Sequence, residues 1–148
     1  MKPLAVNRKA RFEYELLEKF VAGVALTGSE VKSLRDGRVS LQDGYVAFEG
    51  GEAYLVGVHI AAYDNAGYAN HDPLRRRKLL LHKREIKRLA GKVHEKGLTL
   101  VPLAIGVEGN WIKVELGLGR GKKLHDKRET IKRRTLDREA EAALKGRR

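Results

Sequence analysis

The chain has no cysteine among its 148 residues. Disulfide staples, thiolate metal sites and cysteine nucleophiles are therefore excluded, and the absence fits a reducing cytoplasm. Long apolar runs are also missing, so no segment is expected to span or anchor in a membrane. The N-terminal stretch reaches charged residues before an apolar h-region forms, which argues against a secretory signal. Metal-binding patterns are lacking as well. His59, His71, His82, His94 and His125 stand in no HExxH or HxH spacing. Gly117–Lys123 has glycines and lysines but neither the four-residue gap nor the Ser/Thr of a phosphate loop. No pair of acids is singled out for general acid–base work, and a capping role is the default for Glu30. Neither a cofactor nor a catalytic residue is indicated.

Acidic residues are scarce relative to basic ones, at 19 Asp+Glu against 31 Lys+Arg, a net charge of +12. More than half of that excess sits at the end of the chain. Residues 120–148 hold 12 basic and 5 acidic side chains. Such a segment points to a polyanion: nucleic acid, an anionic membrane surface or an acidic protein. No long amphipathic helix with bulky apolar residues along one face is evident, which counts against the membrane. The chain is one domain's length, and its 42% apolar content suffices for a core.

The pattern divides the chain into a domain over 1–119 and a basic tail over 120–148. Residues 1–10 read as a polar arm. Phe12, Tyr14 and Leu16 alternate with charge like a half-buried strand, and Phe20–Leu26 reads as a buried strand with Gly23 marking a bulge or bend. Thr27-Gly-Ser-Glu30 predicts a capping box, then a short helix over 29–35 packing Val31 and Leu34 and ending at Gly37. Residues 44–49 and 53–60 form a hairpin around Gly50-Gly51-Glu52. A loop follows over 61–73. Ile86, Leu89, Ala90 and Val93 share one face of a helix over 82–96, terminated by Gly97. Residues 98–107 and 111–118 are strands joined by Glu108-Gly-Asn110, and Pro102 requires an edge or a bulge. About six strands and two helices with frequent glycine predict a mainly β, OB-fold-like small closed barrel of antiparallel strands, a fold that commonly binds oligonucleotides. Gly119–Gly121 reads as a hinge. The tail has too little apolar surface to fold alone and is expected to be disordered when free and helical when bound.

Binding is better supported than catalysis. Arg75-Arg-Arg-Lys78, with Arg76 and Lys78 among its members, adds to Lys32, Arg35 and Arg38 as a candidate cationic surface for phosphates. Tyr45, Tyr54, Tyr63, Tyr68 and Trp111 have rings suited to base stacking. Core packing is the default for each ring, and exposure is expected first for Tyr63 and Tyr68 in their polar loop.

Several ordered stretches resemble the SmpB, or SsrA-binding protein, family. They are Asn7–Ala10, Ala22–Gly37, Gly51–Leu55, His59-Ile60 with Tyr63, Asp72-Pro73, Arg77–His82, Gly97–Leu103 and Gly121–Arg128. The resemblance implies an OB-like barrel with flanking helices, and a non-enzymatic adaptor. Such an adaptor binds the transfer-RNA-like domain of transfer-messenger RNA and takes it to stalled ribosomes, contacting both subunits. Elongation factor Tu is an indirect partner through the charged RNA. By position, the resemblance implies that Asn7, Leu80 and Lys113 serve RNA binding or barrel integrity. Gly121, Lys122 and Lys123 match the barrel-to-tail junction. His125, Asp126, Lys127 and Arg128, with Lys132, Arg133 and Arg134 beyond them, match the tail segment that works in the decoding centre and messenger channel. Two positions depart from the family's pattern. Val21 stands where an acid is usual, and Ile105 where an aromatic is common. A generic RNA-chaperone or ribosomal protein, and an RNA-modifying enzyme, are the rival readings.

Overall fold

The computed structural model describes residues 1–63 and 70–122. The expectations placed on Tyr68, on Lys123 and on the tail residues His125, Asp126, Lys127, Arg128, Lys132, Arg133 and Arg134 lie outside the described residues. In chain order the elements are β1 (Lys2–Val6), α1 (Arg8–Glu13), β2 (Tyr14–Val24), α2 (Gly28–Arg35), β3 (Val39–Ser40), β4 (Tyr45–Glu49), β5 (Glu52–Val56), β6 (His59–Ile60), β7 (Arg77–Leu80), α3 (Lys83–Lys96), β8 (Thr99–Glu108) and β9 (Trp111–Gly121). The fold is mainly β. A seven-stranded antiparallel sheet runs in the order β1-β8-β9-β2-β7-β5-β4, and β3 pairs with β6 beside it.

The expected closed barrel needs qualification. β4 lies against β8, but among the described residues no ladder of hydrogen bonds joins the two ends of the sheet. The curl is tight where they approach: a Cβ on Gly44 would come within 2.7 Å of Val58 and 2.8 Å of Pro102 side-chain atoms. Inside sits one main core. Leu34, Leu55, Ile60, Leu79, Leu89, Leu100, Ile105, Leu116 and Leu118 are essentially inaccessible there. α3 closes one side with Ile86 and Leu89.

Several elements were hidden from the pattern. The polar arm contains β1, which pairs with β8. Phe12 belongs to a six-residue helix rather than a strand, because Asn7 caps it by accepting from the Ala10 amide at 3.2 Å. β2 begins only at Tyr14. It alternates half-buried and exposed residues along most of its length instead of being buried, with Val21 48% exposed. Its bulge falls at Leu17, while Gly23 is regularly paired with both Leu80 and Lys113. Pro102 lies in an interior strand and is accommodated by the bulge alternative: the β8 register shifts between Pro102 and Ala104. The Thr27–Glu30 capping box, the Gly50-Gly51 hairpin and the Gly97 left-handed C-cap at φ 64° form as the pattern predicts. The Gly119–Gly121 hinge does not. Those residues continue β9, paired with Leu16, Glu15 and Tyr14, and a Cβ on Gly119 would meet the Glu15 carbonyl at 2.7 Å.

Candidate nucleic-acid interface

The charge run at 75–78 resolves into two groups because β7 alternates. Arg77 and Leu79 point inward; Lys78 and Leu80 point outward. Arg77 is fully buried, its charge met by Glu30, which is also fully buried. The Glu30 carboxylate accepts from Arg77 Nε at 2.7 Å, from Arg75 Nη2 at 2.7 Å and Nε at 3.1 Å, and from the Thr27 amide at 2.8 Å. Arg77 also donates to the carbonyls of Val58 at 2.7 Å and Pro73 at 3.1 Å. Burial alone raises the Glu30 pKa. The hydrogen bonds from Arg75, Thr27 and Arg77 and the Arg77 charge outweigh it and hold the pKa at about 2. Burial pulls Arg77 below the usual guanidinium range, opposed by Glu30, whereas the hydrogen bond Arg75 donates to Glu30 raises Arg75. Both arginines stay charged. This knot ties β7 and the chain leading into it onto α2, so Glu30 does far more than cap a helix.

A second tie sits beside it. His71 Nε2 lies 2.9 Å from the Ile60 carbonyl and Nδ1 lies 2.8 Å from the Ser29 hydroxyl. A carbonyl only accepts, so Nε2 carries the proton, and in the neutral ring Nδ1 accepts from Ser29. Asn70 pinches the loop, accepting from the Tyr63 amide at 3.0 Å and donating to its carbonyl at 2.8 Å.

With β7 fixed, one rung crosses four strands. Leu80 pairs with Gly23, Gly23 with Lys113, and Lys113 with Gly106. Gly23, between Leu80 and Lys113, leaves no side chain on the sheet floor there, and Gly106 does the same beyond Lys113. A Cβ at Gly23 would sit 3.2 Å from Leu80, and one at Gly106 would meet the Lys2 carbonyl at 2.1 Å. Leu80 is 51% and Trp111 68% exposed. Together with Gly23, Ala25, Val31 and Lys113 they border an open depression of about 550 Å³. Lys113 has no acidic partner among the described residues. The face thus combines apolar contact, an exposed indole and an unneutralised cation. Val21, on the neighbouring rung, pairs with Glu115 of β9, so a carboxylate borders this surface although position 21 lacks one.

The other expected contacts are scattered. Asn7 is buried, and its amide donates to the carbonyls of Pro102 at 2.8 Å and Leu41 at 3.2 Å. Its side chain is committed to the fold. Lys32 and Arg35 are exposed on α2, and the Lys32 ammonium lies 5.6 Å from the centre of the Tyr63 ring. Arg76 pairs with Glu49 at 2.7 Å and stacks 4.6 Å from the Tyr54 ring centre, while Lys78 lies 3.6 Å from Glu52. Lys122 is exposed just past β9, its amide bonded to the Glu13 carbonyl at 2.8 Å. The structure therefore brings Leu80 and Lys113 together and neutralises much of the 75–78 run. Core packing, the default for a single ring, does not hold for Trp111 or for Tyr45, 45% exposed; a hairpin-end position is the signal available for Trp111. Among the described residues no three His, Asp or Glu side chains are grouped to hold a metal ion, and no helix is long and apolar enough to cross a membrane.

The sheet and its face define a small antiparallel β-domain that presents a glycine-floored surface with one free cation and one exposed indole. Comparison with known proteins narrows the class. The SmpB family model matches residues 4–146. The SsrA-binding protein of Gloeothece citriformis is 57% identical over 140 residues, 94% of this chain and 90% of its own length. That of Acaryochloris marina is 57% identical over 145 residues, 97% of this chain and 94% of its own. A chain solved in "tmRNA-SmpB: a journey to the center of the bacterial ribosome" superposes with a TM-score of 0.71 at 52% identity, covering 87% of this chain and 94% of that one. The chain belongs to the SmpB family.

Proposed function

We propose that this chain is an RNA-binding adaptor. It binds the transfer-RNA-like domain of transfer-messenger RNA and brings it to stalled ribosomes for trans-translation, with no catalysis of its own. Its place of work is the cytoplasm, its partners are that RNA and both ribosomal subunits, and elongation factor Tu acts through the charged RNA. Membership of the SmpB family over nearly the full chain supports this. The observation that carries it is the Leu80–Gly23–Lys113 rung, where two residues distant in sequence meet over a bare floor. A sugar edge packs against Leu80 and the glycine floor, Lys113 meets a phosphate, and Trp111 offers a ring to a base. The sheet serves as the OB-like barrel of the family, with β4 against β8 at its seam. Residues 122–148, beyond β9, then act as the tail. Lys122 and Lys123 leave the barrel, His125–Arg128 work in the decoding centre, and Lys132, Arg133 and Arg134 line the empty messenger channel.

The test compares the full chain's affinity for the transfer-RNA-like domain with its affinity for an ordinary transfer RNA at matched salt. Preference for the former, reduced by Lys113→Ala, is expected; equal affinities refute the proposal. Deleting 122–148 is expected to weaken this binding modestly and to abolish tagging of stalled peptides. Tagging that survives the deletion refutes the tail's role.

A further inference from the structure

The cations of the described residues fall into two populations. Lys9, Arg75, Arg76, Arg77, Lys78, Arg88, Lys92 and Arg120 lie within ion-pair distance of a carboxylate. Among the described residues Lys2, Arg8, Arg11, Lys19, Lys32, Arg35, Lys96, Lys113 and Lys122 have no such partner, and neither do Lys83, Arg84 and Lys87, which are exposed and clustered at the start of α3. They share a stripe. At about 100° per residue, Lys83, Lys87 and His94 fall within about 40° of one another, with Arg84 and Gly91 at its edge. The core-facing Ile86, Leu89 and Val93 centre about 110° around the helix from it, with Ile86 and Ala90 bordering the stripe. The stripe is about 16 Å long from Lys83 to His94. Glu85 is turned away by the same spacing, and Glu95 flanks only the far end.

Two further features mark this surface. Lys83 and Arg84 occupy the first turn of α3, where the helix dipole disfavours positive charge, and His82 supplies no side-chain cap. Cations placed against the local rule, without a compensating partner, signal a use outside the fold. Beside the stripe runs a trough of about 420 Å³, with Lys83 and Lys87 on one lip and the side-chain-free Gly50-Gly51 turn on the other. Phe48, Ile86 and Ala90 line it. Its two acids, Glu49 and Glu52, are already paired with Arg76 and Lys78, so the net field there is positive.

We infer that the outer stripe of α3 is a second docking surface for transfer-messenger RNA: Lys83, Arg84 and Lys87 hold backbone phosphates, and the trough receives a ribose or an unstacked base. This rests on the proposed function. α3 begins three residues after Leu80, so Lys83 lies within about 10 Å along the chain of the Leu80–Lys113 surface, and the two engage the same RNA. Because the apolar side chains of α3 face the core, a lipid surface has nothing to take up.

The test uses the full chain with Lys83, Arg84 and Lys87 all changed to Gln, a charge-conserving set (Lys83→Arg, Arg84→Lys, Lys87→Arg), and Lys113→Ala. Affinity for the transfer-RNA-like domain is followed across salt, with circular dichroism confirming each fold. The glutamine variant is expected to lower the slope of log K against log salt by about 2 to 3 and to weaken binding roughly tenfold to a hundredfold near ~0.15 M salt. The charge-conserving set restores both. An unchanged slope and affinity in a folded glutamine variant, while Lys113→Ala weakens binding, overturns the second surface and leaves the first intact. If the wild-type chain itself shows no preference for this RNA, the functional proposal fails before the comparison begins. Loss of polyglutamate binding with RNA binding unchanged assigns the stripe to an acidic protein and overturns the inference.

Discussion

Replacing Glu30 by Gln tests the energetic centre of the molecule. The substitution preserves shape and removes one charge. Glutamine's amide offers one oxygen where the carboxylate now accepts four hydrogen bonds. Two independent estimates bear on the cost. The fall in pKa from 4.5 to about 2 corresponds to about 3 kcal/mol of stability at neutral pH. Removing one partner of a buried ion pair costs about 3–5 kcal/mol, because the remaining charge is left uncompensated. Here that charge is Arg77, whose side chain is 0% exposed. Arg75, with its side chain 38% exposed, can turn to solvent and adds little. The expected loss is therefore about 3 kcal/mol, read as a lower urea midpoint at pH 7 with the slope unchanged.

The same carboxylate fixes a pH dependence. Its folded pKa lies below its unfolded one, so its stabilising contribution is complete above about pH 4.5 and is lost as pH falls toward about 2. Wild-type stability should decline through that window by about 3 kcal/mol more than that of Glu30→Gln. Thr27→Ala, which removes the side-chain half of the capping box, is the control and should cost about 1 kcal/mol. If Glu30→Gln lies within about 0.5 kcal/mol of wild type, or shows the same acid limb, the knot is not a net stabiliser and the reasoning fails.

Asn7→Ala should destabilise by about 2–3 kcal/mol in urea, since it removes an N-cap and orphans the Leu41 and Pro102 carbonyls; unchanged stability with weakened RNA binding would make it a direct contact instead. Lys113→Ala should leave the urea midpoint almost unchanged and lower the salt slope of RNA binding by about 1; a large stability loss would contradict its placement on an open face. Leu116→Ala, deep in the core, should cost about 2–5 kcal/mol by thermal or urea unfolding. Gly106→Ala should be destabilising, because its Cβ would meet the Lys2 carbonyl at 2.1 Å; faster hydrogen exchange confined to β1 and β8 would locate the damage, and normal exchange there would count against that register.

Local chemistry was readable where a few neighbouring residues decide the outcome. Thr27 and Glu30 specify a cap within three positions, Gly50-Gly51 supply the positive φ of a turn, and Val114, Leu116 and Leu118 keep the period of 2. What depended on distant partners was hidden. β1 is a strand because β8 lies beside it, not because Lys-Pro-Leu-Ala-Val has a strong pattern. Arg8–Glu13 is too short for helical periodicity to emerge, and its alternation with Tyr14 and Leu16 imitates a strand. The bulge at Leu17 leaves no compositional trace, whereas Gly23, the more suggestive residue, is in regular register. The tight pairing of Gly119 with β2 likewise requires knowing that the Glu15 carbonyl is 2.7 Å from a would-be Cβ.

Charge is the clearest case of information that composition carries without placing. Four consecutive cations at 75–78 invite assignment to one binding surface, yet the strand period sends Arg77 into the core, Arg75 joins it on Glu30, and Arg76 and Lys78 meet Glu49 and Glu52. Lys113 and the α3 trio come from segments whose local charge density is unremarkable beside that run, and they are among the described cations left without acids. An RNA phosphate gains most from a cation that the fold has not already neutralised. The useful quantity is therefore the unpaired charge on a given face, and it follows from register and helical phase. That is why Lys113→Ala and the α3 substitutions should change salt dependence, whereas Arg77→Gln should first change stability: it would leave Glu30 with Arg75 as its one cationic partner, raise its folded pKa and so shrink the stability lost between about pH 4.5 and 2.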